Sequence, residues 1–84
     1  ISLLKLRNIY HSNFIDINKP YIMIDCSHVF QLEDIDILIY DELLFRYPKS
    51  IIYLMNSEKE YKKLISKYLK KHSKIRMFKE GKNQ

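Results

Sequence analysis

Two nearly continuous apolar runs of five residues constrain the fold of this chain more than any other feature of its sequence. They are Tyr21–Asp25 and Ile51–Met55, and a segment of helical length follows each of them along the chain. Apolar runs without polar alternation are typical of strands that are covered on both faces, as in parallel sheets. Because parallel strands need a crossover, usually a helix, the sequence predicts an α/β fold.

Shorter segments complete the predicted order of elements. Residues 1–7 are expected to form a strand, residues 10–17 a short helix, and residues 74–78 a last strand. The expected architecture is a small, mostly parallel four-stranded sheet with two main helices packed on it.

The two main helices are predicted over residues 33–47 and 57–71. The first has no helix breaker before Pro48, and three acidic residues in its first turn suit the positive end of the helix dipole. The second begins with Ser57-Glu58-Lys59-Glu60, which matches a capping box, and it carries one continuous apolar stripe.

The chain is expected to be one domain, with a core over about residues 1–78 and a basic tail over residues 79–84. Its opening residues already resemble the middle of a fold, which suggests a fragment of a longer chain. The single cysteine, Cys26, cannot form an internal disulfide, which suits a reducing compartment such as the cytoplasm or an organellar matrix. No apolar run approaches the length of about 20 residues of a membrane span, so we expect at most the soluble part of a membrane-associated protein.

Charge is divided unevenly along the chain. Residues 1–56 hold five Lys/Arg and seven Asp/Glu, whereas residues 57–84 hold ten Lys/Arg and three Asp/Glu. A surface that binds nucleic acid or anionic lipid has such a basic excess, and the alternative is a solvated lysine-rich helix face of the kind that AT-rich genomes supply. The candidate phosphate contacts are Lys62, Lys63, Lys67, Lys70, Lys71 and Arg76.

Asp25, Cys26 and His28 are the candidates for chemistry. Asp25 ends a buried strand, at the edge where ligands of open α/β sheets bind. A functional interpretation makes it an acid or a Mg²⁺ ligand. In the structural interpretation, its carboxylate accepts hydrogen bonds from N–H groups of the following loop. Asn56 instead of a second acid ends the other strand, so a pair of carboxylates is missing. Cys26 and His28 lack a third catalytic partner, which favours a buried thiol and a surface histidine. No catalytic, metal or cofactor site is expected.

The stretch from Ile24 to Val29, followed by the acidic turn 33–36, resembles a STAS domain. That family includes anti-sigma-factor antagonists, cytoplasmic domains of sulfate-type anion transporters and a lipid-trafficking component. Asp25, Ser27 and Val29 match its Asp-x-Ser-x-Val pattern, and Glu33 stands where the family has an acid. The next positions lack the serine and glycine of the bacterial regulators, so no serine phosphoswitch is expected there.

The helix over 33–47 has apolar residues on two sides. Ile35, Leu38, Ile39 and Leu43 form one face that is expected to pack on the sheet. A helix that covers a small sheet needs only one apolar stripe. The second face therefore predicts a partner surface, as the STAS resemblance also implies, or coverage by the N-terminal segment or by further chain. The candidate partner-binding residues are Glu33, Asp34, Ile37, Tyr40, Leu44 and Tyr47.

The leading functional hypothesis is a non-enzymatic, STAS-like protein–protein interaction module that docks a partner through helix 33–47 and its preceding loop. An alternative hypothesis is a basic structural or RNA-contacting subunit of a large assembly such as an organellar ribosome. A small phosphate-handling enzyme that uses Asp25 is the third.

Overall fold

The computed structural model describes residues 1–10 and 20–79. Three strands form a parallel sheet in the order β1-β2-β3, and three helices accompany them. The predicted α/β class and the predicted strands at 21–25 and 51–55 are confirmed. The elements in chain order are α1 (Leu3–Ile9), β1 (Tyr21–Asp25), α2 (Asp34–Arg46), β2 (Ile51–Met55), α3 (Lys59–Lys71) and β3 (Ile75–Met77).

All three helices cover the same face of the sheet. The buried side chains of the strands alternate with exposed or half-buried ones, and they join one core together with buried residues of α1, α2 and α3. Right-handed crossovers between neighbouring strands place α2 and α3 on the same side of the sheet. Helix α2 lies between α1 and α3, since Asp36 of α2 contacts Arg7 of α1 and Tyr61 of α3. The buried strand residues are Ile22, Ile24, Ile52, Leu54 and Ile75.

The strand predicted over residues 1–7 is wrong, because most of this segment is helix α1. The hydroxyl of Ser2 accepts the N–H of Lys5 at 3.0 Å and caps the helix. Leu3 and Leu6, one helical turn apart, are both buried in the core. A short alternation of apolar and polar residues therefore fitted an amphipathic helix as well as a strand.

The expected fourth strand is represented in the described residues by a single bridge. Ile1 accepts the N–H of Asp25 at 2.8 Å, and its own nitrogen donates to the carbonyl of Met23 at 2.9 Å. Among the described residues, the sheet therefore has three strands instead of the predicted four, and α1 joins the two predicted main helices on it. The predicted short helix over 10–17 falls almost wholly on residues outside the described ranges.

Helix α2 begins where the sequence predicted and has a capping box that was not predicted, whereas the cap of α3 differs from expectation. Asp36 accepts the N–H of Glu33 at 3.3 Å, as the third helical residue does in a capping box. The capping box predicted at residues 57–60 is absent, because α3 starts at Lys59 with Glu58 as its N-cap and no side chain caps it.

One buried carboxylate, that of Asp36, binds side chains from both neighbouring helices. Arg7 of α1 donates to it through Nε at 2.6 Å and through a terminal nitrogen at 2.7 Å. Tyr61 of α3 donates its hydroxyl to the same carboxylate at 2.9 Å. Asp36 has no exposed surface, so this ion pair is a buried one.

We predict that Arg7→Ala lowers the free energy of unfolding by about 3 to 5 kcal/mol, because it leaves the Asp36 charge buried and unpaired. Arg46→Ala is the matched control, since Arg46 pairs with Glu42 on the exposed surface of α2 at 2.6 Å. That pair contributes only about 0.3 to 0.5 kcal/mol. Urea denaturation followed by circular dichroism measures both variants, and equal losses would contradict the assignment.

Candidate functional site

The described helices leave uncovered the sheet face that is turned away from them. Its side chains alternate with the buried ones, and none of them is buried. Apart from Arg76 and the terminal Asp25, the face is apolar, although parallel sheets are normally covered on both faces. We call it the open face, and it consists of Tyr21, Met23, Asp25, Ile51, Tyr53, Met55, Arg76 and Phe78.

Three aromatic rings cross the open face in a row. The ring centroids of Tyr21 and Tyr53 lie 6.4 Å apart at an interplanar angle of 70°, and those of Tyr53 and Phe78 lie 5.8 Å apart at 78°. Such edge-to-face contacts are favourable aromatic geometries. The outer rings stay accessible, since Tyr21 is 55% exposed and Phe78 is 40% exposed. The row is therefore a pre-arranged apolar surface.

At the carboxyl edge of the sheet, Asp25 is engaged in local hydrogen bonds. Its Oδ1 accepts the hydroxyl of Ser27 at 2.5 Å, the N–H of Ser27 at 2.9 Å and the amide of Asn56 at 3.4 Å. The Ser27 hydroxyl in particular lowers the pKa of Asp25 below its ordinary value. The interpretation of Asp25 as an acceptor that secures the following loop is confirmed.

The thiol of Cys26 and the imidazole of His28 lie in different environments. The Cys26 side chain is fully buried, and burial raises the pKa of its thiol to about 11. His28 is exposed, with a left-handed backbone at φ 63°. A buried thiol and a surface histidine, as the sequence favoured, are confirmed. Within residues 1–10 and 20–79, no group of three His, Cys, Asp or Glu side chains is placed to hold a metal ion.

We predict that the Cys26 thiol of the folded protein reacts on the order of a hundredfold more slowly with iodoacetamide at pH 8 than in urea. The thiolate is the reacting form, and raising its pKa depletes it, while unfolding returns the thiol to an ordinary pKa of about 8.5. Mass spectrometry of timed aliquots measures the rates. Equal rates in both states would contradict the buried position.

The candidate partner-binding residues of α2 are placed differently from expectation. The prediction that Tyr40 lies on the surface is wrong, because its side chain is fully buried. Its hydroxyl lies 2.8 Å from that of Tyr61. Ile37, Leu44 and Tyr47 are half-buried against the core, while Glu33 and Asp34 are exposed. The second apolar side of α2 packs within the helix layer, because α2 has a neighbouring helix on each side.

Two apolar residues on the outer side of α2 are exposed instead. Leu38, which was expected to pack on the sheet, is 49% exposed, and Phe45 is 82% exposed. They lie seven positions, or about two helical turns, apart. They form a smaller apolar ridge than the predicted second face.

The six predicted phosphate contacts come from two elements of the structure. Five of them are exposed lysines of α3, a helix whose opposite side buries Tyr61 and Ile65. Arg76 lies on the open face, where its Nε donates to the carbonyl of Ser73 at 2.9 Å. Lys62 belongs to a pocket at the carboxyl edge. The five exposed lysines are Lys62, Lys63, Lys67, Lys70 and Lys71.

We call this pocket the edge pocket. It lies where β2 and β3 end and α3 begins, and its volume is about 380 Å³. Sequence reasoning missed it as a site, although the carboxyl ends of parallel strands are where ligands of α/β folds bind. Pairing of β3 with β2 brings Lys79 to the same pocket as Lys62. The lining residues are Leu54, Asn56, Ser57, Lys62, Met77, Phe78 and Lys79.

None of the described helices is both long and apolar enough to cross a membrane. No family model matches the chain, and no curated protein and no solved structure matches it either. The STAS resemblance therefore stays a prediction that rests on Asp25, Ser27, Val29 and Glu33.

Proposed function

We propose that this domain is a protein–protein interaction module whose partner docks on the open face. The observation that carries the proposal is an apolar face of a parallel sheet that no described helix covers. Aromatic residues, Met and Arg are enriched at the centres of protein interfaces, and Lys and Glu are depleted there. The open face has this composition.

The aromatic row supports docking through its rigidity. Tyr53 sits between two rings that it contacts edge-to-face, so little side-chain freedom remains to be lost on binding. Tyrosine and arginine are also frequent among the residues that dominate binding energy. Arg76 is paired in register with the central Tyr53, so we expect the partner to place a carboxylate opposite this guanidinium within an apolar surface.

A binding role agrees with the state of the two groups first considered for chemistry. The Asp25 carboxylate accepts three hydrogen bonds from its own loop and from Asn56. The Cys26 thiol is buried with a raised pKa, so the thiolate needed for nucleophilic attack is scarce. These arrangements stabilise the carboxyl edge rather than activate it.

A second docking surface is the STAS-like one on α2 and its preceding loop. The exposure of Phe45 and Leu38 favours it, together with the exposed acids Glu33 and Asp34. It lies on the outer side of the helix layer, away from the sheet. Variants on opposite sides of the molecule therefore separate the two modes of docking. An RNA-contacting role stays the alternative function, because five of the six predicted basic contacts are exposed lysines of α3.

We predict that the double variant Tyr21→Ser/Phe78→Ser weakens partner binding by about thirtyfold or more, as expected when interface anchors are truncated. The matched control is Leu38→Ser/Phe45→Ser, which removes the same kind of exposed apolar surface from α2. A partner captured on the wild-type protein is identified, purified and titrated against both variants by calorimetry.

Because all four substituted side chains are at least two-fifths exposed, both variants should keep the wild-type urea midpoint within a small margin. Loss of binding only in the α2 variant would move the docking surface to α2. Wild-type affinity in both variants would reject both surfaces. Sedimentation velocity of the protein alone tests whether a second copy is the partner.

A further inference from the structure

We propose that the edge pocket is a binding site for a phosphate monoester. The pocket is separate from the aromatic row except at Phe78, which contributes to both. It opens at the carboxyl edge of the parallel sheet, where the chain leaves β2 through Asn56 in a left-handed conformation at φ 56°. This backbone turn places Asn56 and Ser57 in the pocket wall, just before the N-terminus of α3.

Two lysines from different elements line the same pocket. Lys62 comes from the first turns of α3, and Lys79 lies two residues beyond β3. Within the part of the chain that the structure describes, neither lysine has an ion pair, and no acidic side chain lines the pocket. Two like charges that share a cavity repel each other, and a bound anion relieves this repulsion.

The carboxylates nearest the carboxyl edge, those of Asp25, Glu58 and Glu60, do not line the pocket. Asp25 accepts hydrogen bonds from Ser27 and Asn56, and Glu58 accepts the N–H of His28 at 3.3 Å. Their carboxylates order the loop that follows β1. The cationic character of the pocket is therefore not cancelled by a carboxylate in its wall.

Polar donors complement the two charges. No side chain caps the N-terminus of α3, so the N–H groups of its first turn lack that partner at the end of the helix dipole that attracts anions. The Ser57 hydroxyl makes no hydrogen bond of normal geometry with the described residues, although it lies near enough to the Cys26 thiol to affect that group's pKa.

The pocket chemistry selects among anions. A phosphate monoester carries about −1.5 to −2 charges at pH 7, which matches two lysine side chains better than a single carboxylate does. Phe78 provides an aromatic wall beside the lysines. We therefore expect a phosphate that is attached to an apolar or planar group, as in a phosphorylated tyrosine of a docked protein or in a nucleotide.

The test is a titration of the ¹⁵N-labelled protein, followed by amide chemical shifts at constant ionic strength. The three probes are inorganic phosphate, O-phosphotyrosine and uridine 5′-monophosphate, and unphosphorylated tyrosine is the negative control. Saturable shifts at residues 56–60, 62 and 79 are expected with each phosphate and not with tyrosine. Tighter binding of phosphotyrosine indicates a modified protein as the source, and tighter binding of the nucleotide indicates a nucleotide.

Lys62→Gln and Lys79→Gln should each weaken phosphotyrosine binding by about tenfold, the loss expected for one charge-assisted hydrogen bond. Lys63→Gln is the matched control, because it removes the same charge from the adjacent position of α3 without lining the pocket. No saturable shift with any phosphate would overturn the proposal, and so would equal weakening in Lys62→Gln and Lys63→Gln. Since no protein partner is present, the result is independent of docking on the open face.

Discussion

The buried carboxylate of Asp36 is the interaction on which the arrangement of the helices depends. An unpaired charge in the core costs several kcal/mol, so α2 can pack on the sheet only if its neighbours supply compensating groups. Arg7 supplies them from α1, and Tyr61 from α3. The three helices, which the strand order places on one face of the sheet, are thus joined at this carboxylate, and the opposite face carries the aromatic row.

The same carboxylate explains why Tyr40 lies in the core. The hydroxyl of Tyr61 has one hydrogen and gives it to Asp36, so Tyr40 must be the donor in the short contact between the two hydroxyls. A chain of hydrogen bonds thus runs from Arg7 through Asp36 and Tyr61 to Tyr40. Buried polar networks of this kind are stabilising only when every member is satisfied, which fixes the relative position of the helices.

The sequence predicted the elements whose pattern is local. The apolar runs gave β1 and β2, and Pro48 correctly marked the end of α2. The prediction for residues 1–7 failed, because a segment of seven residues fits the periodicity of a strand and that of a helix. The contact that favours the helix joins Arg7 to Asp36, 29 positions away. Pairing over such distances cannot be seen in a local pattern.

The features of the candidate site also differ in whether the local sequence pattern could predict them. Burial of Cys26 and engagement of Asp25 followed from their positions at a strand end, and both were predicted. The open face was not predicted, since an apolar run looks the same whether its second face is covered by helices of the same chain or by something else. The edge pocket depends on where β3 places Lys79 relative to Lys62, which only the sheet pairing reveals.

Phe78 belongs both to the open face and to the edge pocket, so one ligand can occupy the two proposed binding sites together. A protein segment that crosses the aromatic row toward the carboxyl edge passes Phe78 before it reaches Lys62 and Lys79. Once the row is occupied, a phosphate on that segment is held close to the lysines, so its binding becomes intramolecular and draws on a high effective concentration. If the phosphate belongs to a phosphotyrosine of the docked protein, the two weak sites together bind more tightly than either alone, and we expect phosphorylation of that protein to raise the affinity.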